Sequence, residues 1–223
     1  MNSAPANSRF RPTRRNLLLG SLSLSLSQML FPKLAALAEA TPMNDFAPDS
    51  TPDFGALNPH APPALSHFAF LIGKFRCEAK IKSADGTWQP YSATWTGRYI
   101  LDGYAIADQY RMTSPTGELL VFGMNFRSYD PAQHAWNVKW LNALTGDWMD
   151  LVSPNSPPGP LSGITFNGEA LSYIFKESTG GAAYTRATYT RHSPNHFTWS
   201  GDKSDDLKSW SEFMIVQCYR TES

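Results

Sequence analysis

The sequence predicts an all-β domain of about ten short antiparallel strands, built as a sandwich or an up-and-down barrel. Three observations predict it. Turn signals built on Gly, Pro, Asn and Asp recur at roughly eight-to-twelve-residue intervals, the spacing of all-β folds. Val, Ile, Thr, Tyr, Phe and Trp dominate between those turns, the residues that suit a pleated, half-buried surface. Only residues 64–72 carry a helical spacing, through Leu65, Phe68, Ala69 and Ile72.

Residues 1–40 stand apart from that pattern. Arg9, Arg11, Arg14 and Arg15 form a basic head, and a Leu/Ser run from Leu17 to Leu26 follows. Ala36-Leu37-Ala38 and Ala38-Glu39-Ala40 offer small-x-small cleavage sites. Basic head, short apolar run and small-residue site describe a signal peptide rather than a membrane span. Thr13-Arg14-Arg15-Asn16-Leu17-Leu18 matches the twin-arginine pattern, so the expected location is periplasmic or extracellular by that route.

Removal of the signal changes the charge. Residues 1–38 hold five of the 19 basic residues and none of the 19 acidic ones. The chain from Glu39 onward therefore has 14 basic against 19 acidic residues, a formal charge of −5. A mildly acidic domain without a basic patch argues against nucleic acid as a partner, and no later stretch is long enough to span a membrane. Oligomeric state is left open by the sequence.

Residues 41–64 contain Pro42, Pro48, Pro52, Pro59, Pro62 and Pro63, and predict a linker or strap. The domain then occupies 65–223, enough for one core. Its expected strands run 74–82, 88–100, 104–112, 119–129, 136–142, 148–152, 164–166, 171–176, 183–191, 196–200 and 211–220. Asp102-Gly103 and Thr145-Gly146-Asp147 mark hairpins. Consecutive hairpins favour a barrel, with 153–161 the one long connection. Cys77 and Cys218 lie near the two ends of this region. A disulfide between them is one expectation for an exported chain, tying first strand to last; two buried thiols are the other.

The order of several motifs resembles a lipocalin-like family of bacterial proteins known as a domain of unknown function. These motifs are Phe70-Leu71-Ile72-Gly73-Lys74-Phe75, the hairpin from Trp95 to Asp108, Phe126-Arg127-Ser128-Tyr129-Asp130-Pro131, and Trp136 to Trp140. The resemblance implies an antiparallel, up-and-down lipocalin-like barrel of about 8–10 strands with a ligand cavity, and no particular activity. Phe75 stands where the family usually has tryptophan in its first strand. The heme-binding relatives of the wider calycin group are similar only in fold, and their ligand histidine has no match here.

Chemistry-bearing patterns are sparse. His60, His67, His134, His192 and His196 are scattered, and His192 and His196 flank the turn Ser193-Pro194-Asn195, so no metal site is expected. No Gly-x-Ser-x-Gly elbow or phosphate loop is present. Charged residues inside strands are more telling: Arg98, Asp108, Arg111, Arg127, Lys139, Arg186, Arg191 and Glu212. Alternation would turn about half of these into a barrel's lumen, where an arginine needs a carboxylate or a ligand anion. Arg98 could pair with Asp108 or Tyr110 across the hairpin. Seven tryptophans lie between 88 and 210, more than filler requires.

These observations lead to an exported barrel that binds a small hydrophobic or aromatic ligand, with an anionic group as one option. Trp95, Arg98, Arg111, Arg127, Trp140 and Trp199 are the expected contacts. The alternative is a cofactor-free lyase, isomerase or hydrolase in which Asp108, Tyr110 or Glu212 moves a proton. No resident cofactor is expected; a heme-like ligand loaded before export is a third reading, which a Soret band would reveal.

Overall fold

The computed structural model describes residues 54–156, 158–177 and 182–221. The twin-arginine signal and the first part of the proline-rich strap lie outside the described residues. Eleven antiparallel strands follow one another: β1 (Gly73–Lys82), β2 (Trp88–Ile100), β3 (Ala105–Thr113), β4 (Leu119–Asp130), β5 (Ala135–Asn142), β6 (Trp148–Val152), β7 (Thr165–Asn167), β8 (Ala170–Lys176), β9 (Tyr184–Ser193), β10 (His196–Ser204) and β11 (Ser211–Arg220). Each of the eleven segments expected from the sequence forms a strand, the shortest being the three-residue β7, which pairs with β8 at one edge of the sheet.

Each strand is paired with the next in sequence except β6 with β7, and β1 also pairs with β11. The sheet thus curls into a lipocalin-like barrel whose first and last strands are zipped together. Its break falls in mid-chain, between β6 and β7, the two edges of the sheet. There β6 lies against β8 without a ladder among the described residues.

Alternation explains the wall. On β1, buried Phe75, Cys77 and Ala79 alternate with exposed Lys74, Arg76, Glu78 and Lys80. Cys77 is register partner to Cys218, and the two form a disulfide with Cα atoms 4.2 Å apart. Closing a loop with a sequence separation of 141 residues stabilises by about 4–5 kcal/mol on the chain-entropy account.

Residues 63–71 form a 3-10 helix, not the α-type face read from Leu65, Phe68, Ala69 and Ile72. The buried residues are Leu65, Phe68 and Leu71, every third position, which matches three residues per turn. Ala69 is exposed and Ile72 is already extended. This helix plugs one end of the barrel. Its last turn crosses β2 at Gly97, where a Cβ would sit 2.1 Å from the Leu71 carbonyl oxygen. Residues 54–62 strap the β2–β3 hairpin: the Tyr99 N–H donates to the Phe54 carbonyl at 2.8 Å, and the Asn58 side-chain amide donates to the Asp102 carbonyl at 3.0 Å.

Glycines inside strands often mark bulges, and Gly97 and Gly123 lie inside β2 and β4. Register shifts occur instead at Met112/Thr113, Val138/Lys139, His196/Phe197 and Gly201/Asp202. Gly97 and Gly123 serve close approach rather than a change of register.

Candidate functional site: a layered lumen

Along the axis from the plug, the lumen holds three layers. The first is aromatic. Phe68 meets the edge of Trp136 at 4.9 Å and Tyr189 at 6.1 Å, and Phe75 meets Phe197 at 5.0 Å, in the edge-to-face geometry that aromatic quadrupoles favour.

The second layer is polar and fully buried. Asp108 on β3 lies opposite Asn125 on β4, and Arg127 stands two residues further along β4 on the same face. The Arg127 Nε donates to Asp108 Oδ2 at 2.5 Å and Nη2 donates to Oδ1 at 3.2 Å. Asn125 Nδ2 donates to the same Oδ1 at 2.8 Å. Arg127 Nη2 also donates to the Tyr189 hydroxyl at 2.9 Å, which in turn lies 3.3 Å from the Tyr173 hydroxyl. The guanidinium packs 4.4 Å above the Phe68 ring. Burial works against its charge and is the largest single influence, yet the Asp108 carboxylate together with Tyr189 and Tyr173 holds the Arg127 pKa well above its usual value. Burial pushes the Tyr189 hydroxyl well up.

Above this floor opens the third layer, a cavity of about 340 Å³. Its polar floor is Asn125, Tyr173 and Tyr189; its walls include Trp95, Tyr110, Trp140, Trp199 and Phe213, and Glu177 belongs to its lining. A volume of this size suits a small organic molecule, and apolar walls with a few polar groups are the usual design of such sites. Gly123 makes room for it: a Cβ there would lie 2.2 Å from the Trp140 ring. At the Gly201/Asp202 shift, Phe213 has no register partner on β10, and Phe213 and Met214 both line the cavity.

Two donors in this layer lack a partner among the described residues: the Trp95 indole Nε1–H and the Tyr110 hydroxyl. Both are buried, and their rings lie 5.2 Å apart. Burial raises the Tyr110 pKa far above that of a free tyrosine. Such groups normally find partners, since an unmade buried hydrogen bond costs about 1–3 kcal/mol. The third orphaned atom is Arg127 Nη1, in the floor.

The structure redistributes the residues singled out from the sequence. Trp95, Tyr110, Trp140 and Trp199 line the cavity. Arg98 and Arg111 do not reach it, because their positions on β2 and β3 are on the outward parity; both are exposed. Arg98 is register partner to Ala107, so the expected pairing with Asp108 or Tyr110 gives way to Arg127–Asp108. Asp108 and Arg127 lie beneath the cavity, held by each other. Glu212 is only half-buried and is not part of the lining. Lys139, Arg186 and Arg191 pair with Asp150, Asp202 and Glu169 outside the lumen. Asn125, Glu177 and Tyr189 were missed. Asn125 was within reach, since it shares parity with Arg127 and sits opposite Asp108.

His192 and His196 are brought together by their turn, with rings stacked at 4.5 Å. They bond to Thr198 and Gln217. Among the described residues no three His, Cys, Asp or Glu side chains gather as a metal would need, and no helix is long and apolar enough to cross a membrane.

No family model matches the chain, and no curated protein matches it in sequence. Solved structures do resemble it. Rv2717c from M. tuberculosis is 8% identical, with a TM-score of 0.45 over 73% of this chain and 99% of that one. The S-type phycobiliprotein lyase CPES from Guillardia theta is 10% identical, with a TM-score of 0.40 over 72% of this chain and 93% of that one. The redesigned β-barrel mFAP1, bound to DFHBI, is 14% identical, with a TM-score of 0.35 over 68% and 96%. The class to which the strand order and the lumen assign this domain is the lipocalin-like β-barrel.

Proposed function

We propose that the chain is an exported binding protein whose barrel holds a small hydrophobic or aromatic molecule. The observation that carries this reading is the cavity of about 340 Å³, walled by Trp95, Trp140 and Trp199, which the barrel's own side chains leave unfilled. A core packed only for stability would fill such a space. The resemblance to the lipocalin-like bacterial family of unknown function belongs to the same reading. Export draws support from the twin-arginine pattern and from the Cys77–Cys218 disulfide, a bond typical of oxidising compartments. Changing Arg14 and Arg15 to lysine is expected to hold the precursor in the cytoplasm.

The enzymatic alternative draws less support. Asp108 has no exposed surface and gives its oxygens to Arg127 and Asn125, and Glu212 does not line the cavity. Tyr110 alone of the three expected acid–base groups faces it. A heme-like ligand is also less well served: among the described lining residues the iron ligands on offer are tyrosines and methionines, with no histidine or cysteine.

The test is to purify the exported protein, denature it and analyse the released extract by mass spectrometry. A stoichiometric aromatic or hydrophobic compound is the expected result. A protein that carries nothing, and that binds no member of an aromatic fragment set, would sink the proposal.

A further inference from the structure

The outer wall of the barrel is not uniform. On β1 the outward residues are Lys74, Arg76, Glu78 and Lys80, and on β9 they include Thr188 and Thr190. On β4–β6 they are largely apolar. Met124, Leu141 and Trp148 are successive register partners and form one outward row. Phe122 and Phe126 flank Met124 on the same face of β4, and Leu120 extends the patch at one end. Trp148 is 58% exposed, with its ring 5.6 Å from that of Phe126. Single apolar side chains on a surface are ordinary, but a contiguous set on one sheet face marks a contact surface.

Shape and charge across this face say what covers it. The row through Met124 continues on the other side to Gln109 and Thr96, and the row through Phe126 continues to Ala107 and Arg98. Bulk therefore stands at the β6 flank, in Trp148, and a shelf of small side chains, Thr96 and Ala107, at the β2–β3 flank. The Phe126 row also runs through Lys139 to Asp150, so it ends in a cation on β2 and a carboxylate on β6. Asp150 is paired with Lys139 at 2.7 Å, and Arg98 has no ion pair among the described residues.

We infer that two copies of the chain pair through this face, about a twofold axis running along β4. Such an axis lays β6 of each copy over β2 of the other. Each Trp148 then covers the other copy's Thr96, each Arg98 meets the other copy's Asp150, and the β4 side chains meet across the axis. The length of arginine accommodates the tilt of about 30° that sheet twist imposes on packed sheets. At sheet spacings the face measures roughly 20 by 20 Å. Two of them would bury about 1,000 Å² in all, the lower limit for a specific interface, so the dimer is a weak one that forms at micromolar concentration.

Sedimentation velocity of the purified exported protein, from about 1 to 200 µM, is the test. A reversible monomer–dimer equilibrium within that range is expected, and Trp148→Lys should leave monomer alone. Arg98→Asp and Asp150→Arg should each weaken the dimer about tenfold or more, because each sets like charges together twice per dimer. The two changes combined should restore it. Arg98, Trp148 and Asp150 are all exposed, so circular dichroism melts of the variants should match the parent. A parent protein that stays monomeric overturns the inference, and flotation of that monomer with phosphatidylglycerol vesicles would give the face to a lipid surface instead. A dimer indifferent to Trp148→Lys, or one that the combined charge exchange fails to restore, overturns it as well.

Discussion

At the plugged end of the lumen Phe68, Trp136 and Tyr189 meet edge to face, whereas at the loop end Trp140, Trp199 and Phe213 stand around a cavity. The same wall supplies both sets, and the same residue types fill both. What differs is a second layer. The 3-10 helix brings Leu65, Phe68 and Leu71 into one end, and the described residues bring no such plug into the other. Between the two lies the Asp108–Asn125–Arg127 floor, whose guanidinium touches Phe68 on one side and the cavity-lining Tyr189 on the other. Aromatic content therefore does not distinguish core from site in this fold. The supply of filling side chains does.

The largest test of this contrast removes the floor. Arg127→Met strands the Asp108 carboxylate in a fully buried position, and the expected loss is about 3–5 kcal/mol in urea denaturation. The double change Asp108→Leu with Arg127→Met should recover most of it, since an apolar pair leaves no charge unpaired. If the single change were harmless, the floor would not be the structural divide described here.

A smaller change should bring the cavity closer to the plugged state. Gly123→Ala places a methyl group 2.2 Å from the Trp140 ring and 2.4 Å from the Leu141 carbonyl oxygen. Overpacking of this kind costs about 1–3 kcal/mol. Thermal denaturation should register the cost, and ligand affinity should fall as Trp140 is driven into the cavity.

Alkaline pH sharpens the comparison with the least perturbation. Tyr110 and Tyr189 have folded pKa values raised by burial, so the native state keeps protons that the unfolded chain releases above about pH 10. The unfolded state then binds fewer protons, and stability must fall as pH rises beyond that point. The slope approaches about 1.4 kcal/mol per pH unit for each such group. Denaturation midpoints between pH 8 and 11 measure it. Tyr110→Phe should make the decline shallower.

Most of the strand plan was legible, because alternation and turn chemistry are local. The hairpin at Asp102-Gly103 follows from that pattern, and the pairing of first strand with last from closing the barrel. Parity, in contrast, sorts residues onto two faces without saying which is inside, and a set of four arginine and aspartate positions admits either assignment. Asp108 and Arg127 share one face, and Arg98 and Arg111 share the other. The choice was decided by residues distant in sequence, since Phe68 and Tyr189 complete the Arg127 site from the plug and from β9. The 3-10 plug was misread for a local reason: over nine residues, periods of 3.0 and 3.6 place apolar side chains at nearly the same positions.

The disulfide joins the first and last strands, while the wall's break lies in mid-chain, across residues 153–164. In covalent terms the described domain is already a ring, one arc of which carries no strand. A cut in that arc severs no rung of the sheet, and would yield a six-stranded and a five-stranded chain still bound by one sulfur link. New ends opened there, with the old ones spliced, would give a rearranged gene the same barrel.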